Sequence, residues 1–272
     1  MNTPLATTTD GCEPGTGAVP VPARGRSRGR ARAGWWVPPA LLALAFIAVV
    51  GGVGRLIEVL GGPEVLPTDA RFAASPIPLV VHIVSAVVYA VFGAFQFSAR
   101  LRRRHPGWHR RAGRLLVVLG LAVAFSGLWM TLAYPQKEGT GDILWVTRLL
   151  VSSGMGAAVI LGLVAIRRRD ITSHRAWMTR AYALALGAGT QAFTVGFGEA
   201  LFGTGVVNHD LMMAAAWAIN LAVAEWVIRR PAVRRQRRRG DPDRAGRFTV
   251  DPDAPARREH PPHGLLGRGR GL

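Results

Sequence analysis

Cysteine is almost absent from this chain, and lysine is equally scarce. Cys12 is the one cysteine in 272 residues, so the chain can form neither an internal disulfide nor a cysteine metal site. Lys137 is the one lysine, and arginine supplies the rest of the 34 basic residues. Acidic residues number only 16, which leaves a formal charge of +18. The positions of the arginines therefore dominate the charge pattern.

The patterns that identify many enzyme active sites are also missing. No two carboxylates have the spacing that paired acid and base catalysis needs, and no serine belongs to a recognisable Ser-His-Asp arrangement. The Gly154-x-Gly156 and Gly196-x-Gly198 pairs lack a third spaced glycine, so they predict no phosphate loop. Whether the protein is an enzyme stays open.

Apolar residues are gathered into long stretches in the middle of the chain. Each stretch is close to the roughly 20 residues with which a helix crosses the hydrocarbon core of a bilayer. We predict an all-α bundle of six transmembrane helices in residues 35–228, since backbone in lipid must satisfy its own hydrogen bonds. The predicted spans are about 35–54, 77–98, 115–134, 143–166, 181–202 and 211–228.

Arginine alternates between the connecting segments and so predicts the orientation. Four segments hold 30 of the 34 basic residues, and the three segments between them hold three. The arginine-rich segments are 1–34, 99–114, 167–180 and 229–272. Because such loops stay on the cytoplasmic side, we predict cytoplasmic N- and C-termini. The arginine-heavy, lysine-poor usage is typical of a GC-rich bacterium, so the predicted location is the bacterial cytoplasmic membrane.

The two ends of the chain have a different composition. Residues 1–34 and 229–272 are rich in Pro, Gly and Arg and nearly lack aromatic residues, so we predict disordered basic tails. The basic run at 229–239 favours anionic lipid headgroups as its partner. No aromatic residues interleave its arginines, so we expect no nucleic-acid partner. A homo-oligomer or another membrane partner stays open.

The central four spans carry signs of duplication. His82 precedes His109 by 27 positions, and Arg148 precedes His174 by 26. We predict two hairpins with the same orientation, related as parallel repeats. Small residues at Gly154, Ala158 and Gly162 recur every four positions and predict a helix contact face.

One group of polar residues is predicted near the outer face. Its members are His82, Arg148, Glu199 and His209, with Asp210 as a neighbour. Charged groups within a span are costly and normally pair in the bundle interior, so Arg148 with Glu199 is the expected ion pair. The group either fixes the packing of the helices or forms a pocket for a ligand or a proton.

A second group is predicted at the inner face. Two of its arginines, Arg110 and Arg114, are four residues apart at a helix start and could clamp an anionic headgroup or a phosphate. Arginines beside a span also determine topology, which is the alternative explanation. The candidates are Gln96, Arg100, His109, Arg110, Arg114, His174, Arg175 and Arg180.

Haem b is the cofactor that the histidines suggest as an alternative. Imidazoles on two helices at matched depth can ligate iron from both sides. His82 could oppose His209 near the outer face, or His109 could oppose His174 near the inner face. A lone histidine within a span is more often a hydrogen-bonded packing residue.

The motifs His82, Gly93-Ala94-Phe95-Gln96-Phe97, His109-Arg110 and His174-Arg175-Ala176-Trp177 carry a family resemblance. Over about residues 80–225 the chain resembles a bacterial family of predicted membrane proteins, domain-of-unknown-function family 2306 (DUF2306). The resemblance implies a multi-pass membrane protein without an established activity.

Three classes of function are compatible with these residues. The first is a protein that binds or transports a small or lipidic ligand, the second is a haem-dependent electron carrier, and the third is a structural or partner protein without a ligand.

Overall fold

The computed structural model describes residues 36–63, 69–72 and 75–239, and these residues form α-helices joined by short turns, with one 3₁₀ turn at Ala70–Phe72. The predicted disorder of residues 1–34 and 240–272 lies outside the described residues. The helices are α1 Val37–Val59, α2 Ile77–Gln96, α3 Ala99–Arg104, α4 Pro106–Ala133, α5 Asp142–Arg167, α6 Ile171–Ala185, α7 Gly187–Phe202 and α8 Val206–Arg239.

Five helices in the described residues are long and apolar enough to cross a membrane: α1, α2, α4, α5 and residues 206–230 of α8. Large apolar side chains cover the outside of these helices, for example Phe46, which is 64% exposed, and Phe125, which is 61% exposed. A surface of this kind is unfavourable in water and typical of lipid-facing helices. The prediction of an all-α, multi-pass membrane protein is confirmed.

Short polar signals set the helix starts at the arginine-rich turns. Ser98 caps α3 by accepting a hydrogen bond from Leu101 N at 3.3 Å, and Asp170 caps α6 by accepting one from Ser173 N at 3.0 Å. Proline at 106 begins α4, where its missing N–H would have no intrahelical partner. Both arginine-rich segments therefore connect their helices through short turns.

The helices pack mainly as neighbours along the chain. α4 packs against α2 and α5, α5 packs against α6, and α1 packs against α2 and α7. Glycine at 93 leaves room for Tyr182, since a Cβ at that position would lie 2.5 Å from Tyr182 Cε2. The Tyr182 hydroxyl donates to Ala90 O at 2.7 Å and so ties α6 to α2.

The predicted small-residue face is partly correct. Ala158 is 2% exposed, and Gly162 is packed so closely that a Cβ there would lie 2.1 Å from Met178 Cε. Gly154 lies on the exposed side of the helix. Close approach of α5 and α6 is therefore concentrated at the half of α5 nearer Arg167.

The predicted fifth span, 181–202, is not one continuous helix. α6 ends at Ala185, α7 begins at Gly187, and Leu186 caps both. Two side chains of α8 bond carbonyls at the break: Asn220 Nδ2 donates to Ala183 O and Trp217 Nε1 donates to Leu184 O, each at 3.2 Å. These donors satisfy carbonyls that an interrupted helix leaves without intrahelical partners.

The last helix is longer than predicted. α8 continues through residues 229–239, which the sequence composition had assigned to a disordered tail. Arginine has a high helix propensity, which favours a helix here although Pro231 cannot donate a backbone hydrogen bond. The packing of the helices divides the chain after Ala224, and the sites described below lie within the unit that ends there.

The turns gather at two ends of this unit. At the basic end, the turn between α2 and α4 meets the turn between α5 and α6, and Arg102 lies within electrostatic reach of Arg175. At the opposite end, Arg71 Nη1 donates to Pro135 O at 3.2 Å. The two arginine-rich turns therefore lie at the same end of this unit. This placement is consistent with the prediction that both lie on one side of the membrane.

Candidate functional site

A cavity of about 370 Å³ lies in the middle of the bundle. Apolar residues from several helices form most of its wall, including Ala45 of α1, Ile83 of α2 and Met155 of α5. Leu184, Leu186 and Gly189 also line it. The break between α6 and α7 therefore faces the cavity, an arrangement that transporters use to place binding sites on interrupted helices.

Polar side chains are concentrated toward the opposite end of the cavity. His82 and Arg148 lie five and six residues inside the starts of α2 and α5, at matched depths of roughly 8 Å. The polar side chains in the wall are Arg71, His82, Thr131, Tyr134, Arg148, Ser152 and Gln191. The cavity is therefore amphipathic, with a polar part and an apolar part.

Arg148 lines this cavity without a hydrogen bond or an ion pair to any described residue. The predicted pair with Glu199 is wrong, because the Glu199 carboxylate lies 3.5 Å from His209 Nδ1 instead. The acids within electrostatic reach of Arg148 are Asp210 and Asp69. A guanidinium carries five N–H donors, so Arg148 presents an unused set of donors to the cavity.

Arg71, the other cation of the wall, is already paired. Its Nε and Nη2 donate to the two carboxylate oxygens of Asp69 at 2.8 and 2.6 Å. These hydrogen bonds hold the pKa of Asp69 below its ordinary value. Arg148 is therefore the cation of the described cavity wall that lacks a bound partner.

His82 is held by Ser126 in one orientation. The Ser126 hydroxyl donates to Ala122 O at 2.5 Å, so its oxygen accepts from His82 Nδ1 at 3.0 Å. The hydrogen-bond network thus assigns the ring proton to Nδ1. Nε2 of the neutral ring then keeps a lone pair, to which no described residue donates. Gly127 leaves room beside the ring for Ser152, since a Cβ there would lie 3.0 Å from Ser152 Oγ.

Asp210 has a role that the sequence did not predict. Its side chain is only 1% exposed, and Oδ2 accepts hydrogen bonds from Gly141 N and Leu144 N, both at 3.0 Å. The carboxylate of α8 therefore caps the first turn of α5, where a negative charge also complements the helix dipole. Asp210 Oδ1 has no hydrogen-bond partner among the described residues.

A second polar cluster lies at the basic end. Arg102 Nη1 donates to Gln96 O at 2.8 Å, and His109 lies within electrostatic reach of Arg102 and His174. Both side-chain atoms of the Gln96 amide, and His109 Nδ1, are buried without a partner among the described residues. Each such group costs roughly 1–3 kcal/mol if it stays unsatisfied.

Most of the other predicted arginines of the inner group lie at the surface. Arg100, Arg110 and Arg114 are exposed, and Arg180 places its guanidinium 4.6 Å from the centre of the Trp177 ring. The predicted clamp of Arg110 and Arg114 is thus an exposed pair on α4. Arg102 is better placed, because it bonds the end of α2.

The two predicted haem pairs differ in their placement. His82 lines the cavity, whereas His209 is not part of its wall and contacts Glu199. The structure therefore does not bring His82 and His209 to one cavity. His174 donates its Nδ1–H to Gly162 O at 2.8 Å and lies within electrostatic reach of His109. A haem between His109 and His174 stays a prediction.

The apolar helices, their lipid-facing side chains and the internal cavity define a multi-pass α-helical membrane protein. The profile of DUF2306, described as predicted membrane proteins, matches residues 79–228, which is more than half of the chain. The chain belongs to this family, as the motifs around His82, His109 and His174 predicted. Comparison with curated proteins and with solved structures gives no significant match.

Proposed function

We propose that the protein binds a small or lipidic ligand in the central cavity and that Arg148 contacts the polar group of this ligand. The observation that carries the proposal is the Arg148 guanidinium, which faces the cavity without a hydrogen bond to any described residue. A cationic side chain inside a membrane bundle normally has an anion or a strong acceptor beside it. A ligand oxygen would supply that acceptor.

The wall of the cavity defines the chemistry of the ligand. An acceptor oxygen, such as a carboxylate oxygen, fits against Arg148, and a hydroxyl could donate to Nε2 of His82. The apolar remainder would lie against Ile83, Met155 and Leu186, which are part of the same wall. The proposed ligand is therefore an amphipathic molecule with a small polar head.

The membrane arrangement in this proposal has six crossings and cytoplasmic termini. α6 and α7 together cover 171–202, so their combined length is about 48 Å at 1.5 Å per residue. This length exceeds the roughly 30 Å of the hydrocarbon core, and the two helices can supply the sixth crossing in spite of the break. The four central crossings would then form the two parallel hairpins, in the bacterial cytoplasmic membrane.

A native mass spectrum of the full chain in detergent tests the proposed ligand. We expect the wild type to retain an amphipathic organic molecule, and the Arg148→Gln variant to lose about tenfold in occupancy, as for the loss of one charge-assisted contact. Arg168→Gln is the matched control, because Arg168 is exposed at the other end of α5 and its loss removes the same charge.

Two results would contradict this function. If Arg148→Gln and Arg168→Gln retained the same molecule equally, Arg148 would not contact it. If the wild type carried no molecule and its unfolding temperature did not respond to a total lipid extract, the polar residues would serve packing alone, which is the third class of function.

A haem-dependent electron carrier is the second candidate. His174 favours this candidate. Its Nδ1–H donates to Gly162 O, so Nε2 carries the lone pair of the neutral ring and could bind a metal ion, as in many metal-bound histidines. A reduced-minus-oxidised absorption spectrum after expression with added haem decides it. A haem band that His174→Phe removes would support an electron carrier.

A further inference from the structure

The basic end holds a cluster of five residues from four segments, which we name the basic-end cluster: Gln96, Arg102, His109, His174 and Arg175. Two hydrogen bonds fix its geometry. Arg102 Nη1 donates to Gln96 O at 2.8 Å and turns α3 back over the end of α2, while His174 Nδ1 donates to Gly162 O at 2.8 Å and holds α6 against α5. The cluster is separate from the central cavity, whose wall includes none of these five residues.

Arg102 and Arg175, the two arginines of this cluster, form no ion pair with a described residue. The segments 97–114 and 167–180 contain twelve arginines and one acid, Asp170. Asp170 is exposed and its carboxylate caps α6 through Ser173 N. The fold nevertheless brings Arg102 within electrostatic reach of Arg175 from a different helix, and burial together with this repulsion lowers the pKa of Arg102. Like charges held together in this way favour an anion between them.

Unused donors point to the same conclusion. Gln96 Nε2 and His109 Nδ1 are buried and have no hydrogen-bond partner among the described residues. Both atoms can donate, and both belong to residues linked to Arg102, by the bond to Gln96 O and by the electrostatic reach to His109. An anion with several acceptor oxygens would satisfy these donors and the two guanidinium groups at once.

We propose that the basic-end cluster binds a phosphate group, with Arg102 and Arg175 as the charged ligands and Gln96 and His109 as additional donors. A phosphate has enough oxygens for all four groups, whereas a carboxylate has two. Arg175 is exposed, so a ligand would reach the cluster at this residue. The phosphate is that of a phospholipid headgroup or a free phosphate ion.

Native mass spectrometry of the full chain in detergent tests the lipid source. Phosphatidylglycerol is titrated against diacylglycerol with the same acyl chains, which lacks the phosphate. We expect the wild type to bind phosphatidylglycerol and not diacylglycerol, and Arg102→Gln with Arg175→Gln to weaken this binding at least about tenfold. The matched control is Arg111→Gln with Arg168→Gln, which removes the same charge from exposed positions outside the cluster and should leave the affinity within about twofold.

Inorganic phosphate is the second probe. If sodium phosphate raises the unfolding temperature more than sodium chloride at equal ionic strength, and phosphatidylglycerol adds nothing further, the free ion is the ligand. Gln96→Leu removes the unpartnered amide without removing charge. We expect it to weaken binding of whichever probe binds, while a residue that serves packing alone would leave the affinity unchanged.

Several outcomes would overturn the site. Equal binding of both probes by the double variant and its control would show that the cluster does not bind phosphate. Equal binding of phosphatidylglycerol and diacylglycerol, with no response to inorganic phosphate, would do the same. A haem band abolished by His109→Phe would assign this histidine to iron. Because Arg148→Gln alters the cavity alone, failure of the cavity proposal leaves this result intact.

Discussion

At the scale of single residues, two ionisable side chains lie in surroundings that their positions in the sequence do not suggest. Asp210 caps the first turn of α5 from α8, and Arg148 faces the cavity instead of pairing with Glu199. Both are ionisable residues in apolar stretches, and this signal is enough to mark them as unusual. The groups that surround these two side chains depend on helix rotation and on loop geometry, and neither can be predicted from a short stretch of sequence.

Replacing Asp210 should measure the strength of this cap. Asp210→Ala removes a carboxylate oxygen that accepts from one buried and one partly buried backbone N–H group, so we expect a loss of about 3 kcal/mol in the free energy of unfolding. Asp210→Asn keeps an acceptor and should lose less. Thermal unfolding in detergent, followed by circular dichroism, gives the comparison.

Asp142→Ala is the control for this measurement, because Asp142 lies in the same first turn of α5 but is exposed. We expect it to cost less than about 0.5 kcal/mol, as do most surface substitutions. Equal unfolding temperatures for Asp210→Ala and Asp142→Ala would show that the cap contributes little.

At the scale of helices, the break at Leu186 is the least regular element of the bundle and also part of the cavity wall. Trp217 occupies the space beside Gly187, where a Cβ would lie 2.0 Å from the indole Nε1. The same indole nitrogen donates to Leu184 O. A side chain at 187 would therefore displace the group that satisfies the interrupted helix.

Gly187→Ala should destabilise the protein by roughly 1–3 kcal/mol, the usual range for overpacking. Gly196→Ala on the same helix meets no atom within 4 Å of the added Cβ. We expect this second variant to be neutral or more stable by up to about 1 kcal/mol, because alanine has the higher helix propensity. Thermal unfolding of the two variants in the same detergent measures the difference.

If Gly187→Ala unfolded at or above the temperature of Gly196→Ala, the close contact with Trp217 would not limit the packing. A loss of stability together with loss of the copurified ligand would connect the break with the cavity, since Leu186 and Trp217 both line it.

At the scale of the whole molecule, charge separates the two ends of the bundle. The basic end holds the arginine-rich turns, and the opposite end holds the turns around Tyr134 and Gly141. The positive-inside rule predicts that the basic end faces the cytoplasm. The proposed cavity ligand would then lie nearer the outer face, and the proposed phosphate nearer the inner face.

Cysteine labelling in intact cells checks this orientation. In a Cys12→Ser background, we expect a membrane-impermeant maleimide to modify Glu138→Cys from outside and to reach Gly107→Cys after lysis alone. Both positions are exposed, and a Cβ at Gly107 meets no atom within 4 Å. Labelling of Gly107→Cys in intact cells would reverse the orientation.

Much of the architecture follows from local sequence. α2 and α5 have about the predicted bounds, because hydrophobic length and backbone hydrogen bonding are properties of continuous segments. α1 and α4 contain most of their predicted stretches, but α1 continues to Val59 and α4 begins at Pro106. The break in the predicted fifth span was missed for the opposite reason. The position of the break depends on donors from Trp217 and Asn220, more than 30 residues away.

Composition and motifs are enough to identify an arginine-rich, multi-pass helical membrane protein of the DUF2306 family and to mark His82, Arg148 and the histidine-arginine turns as unusual. The packing of the helices brings His82 and Arg148 to one cavity and brings Arg102 close to Arg175. Composition acts along a continuous segment, whereas a site forms where side chains from distant segments meet, and that meeting depends on how whole helices pack.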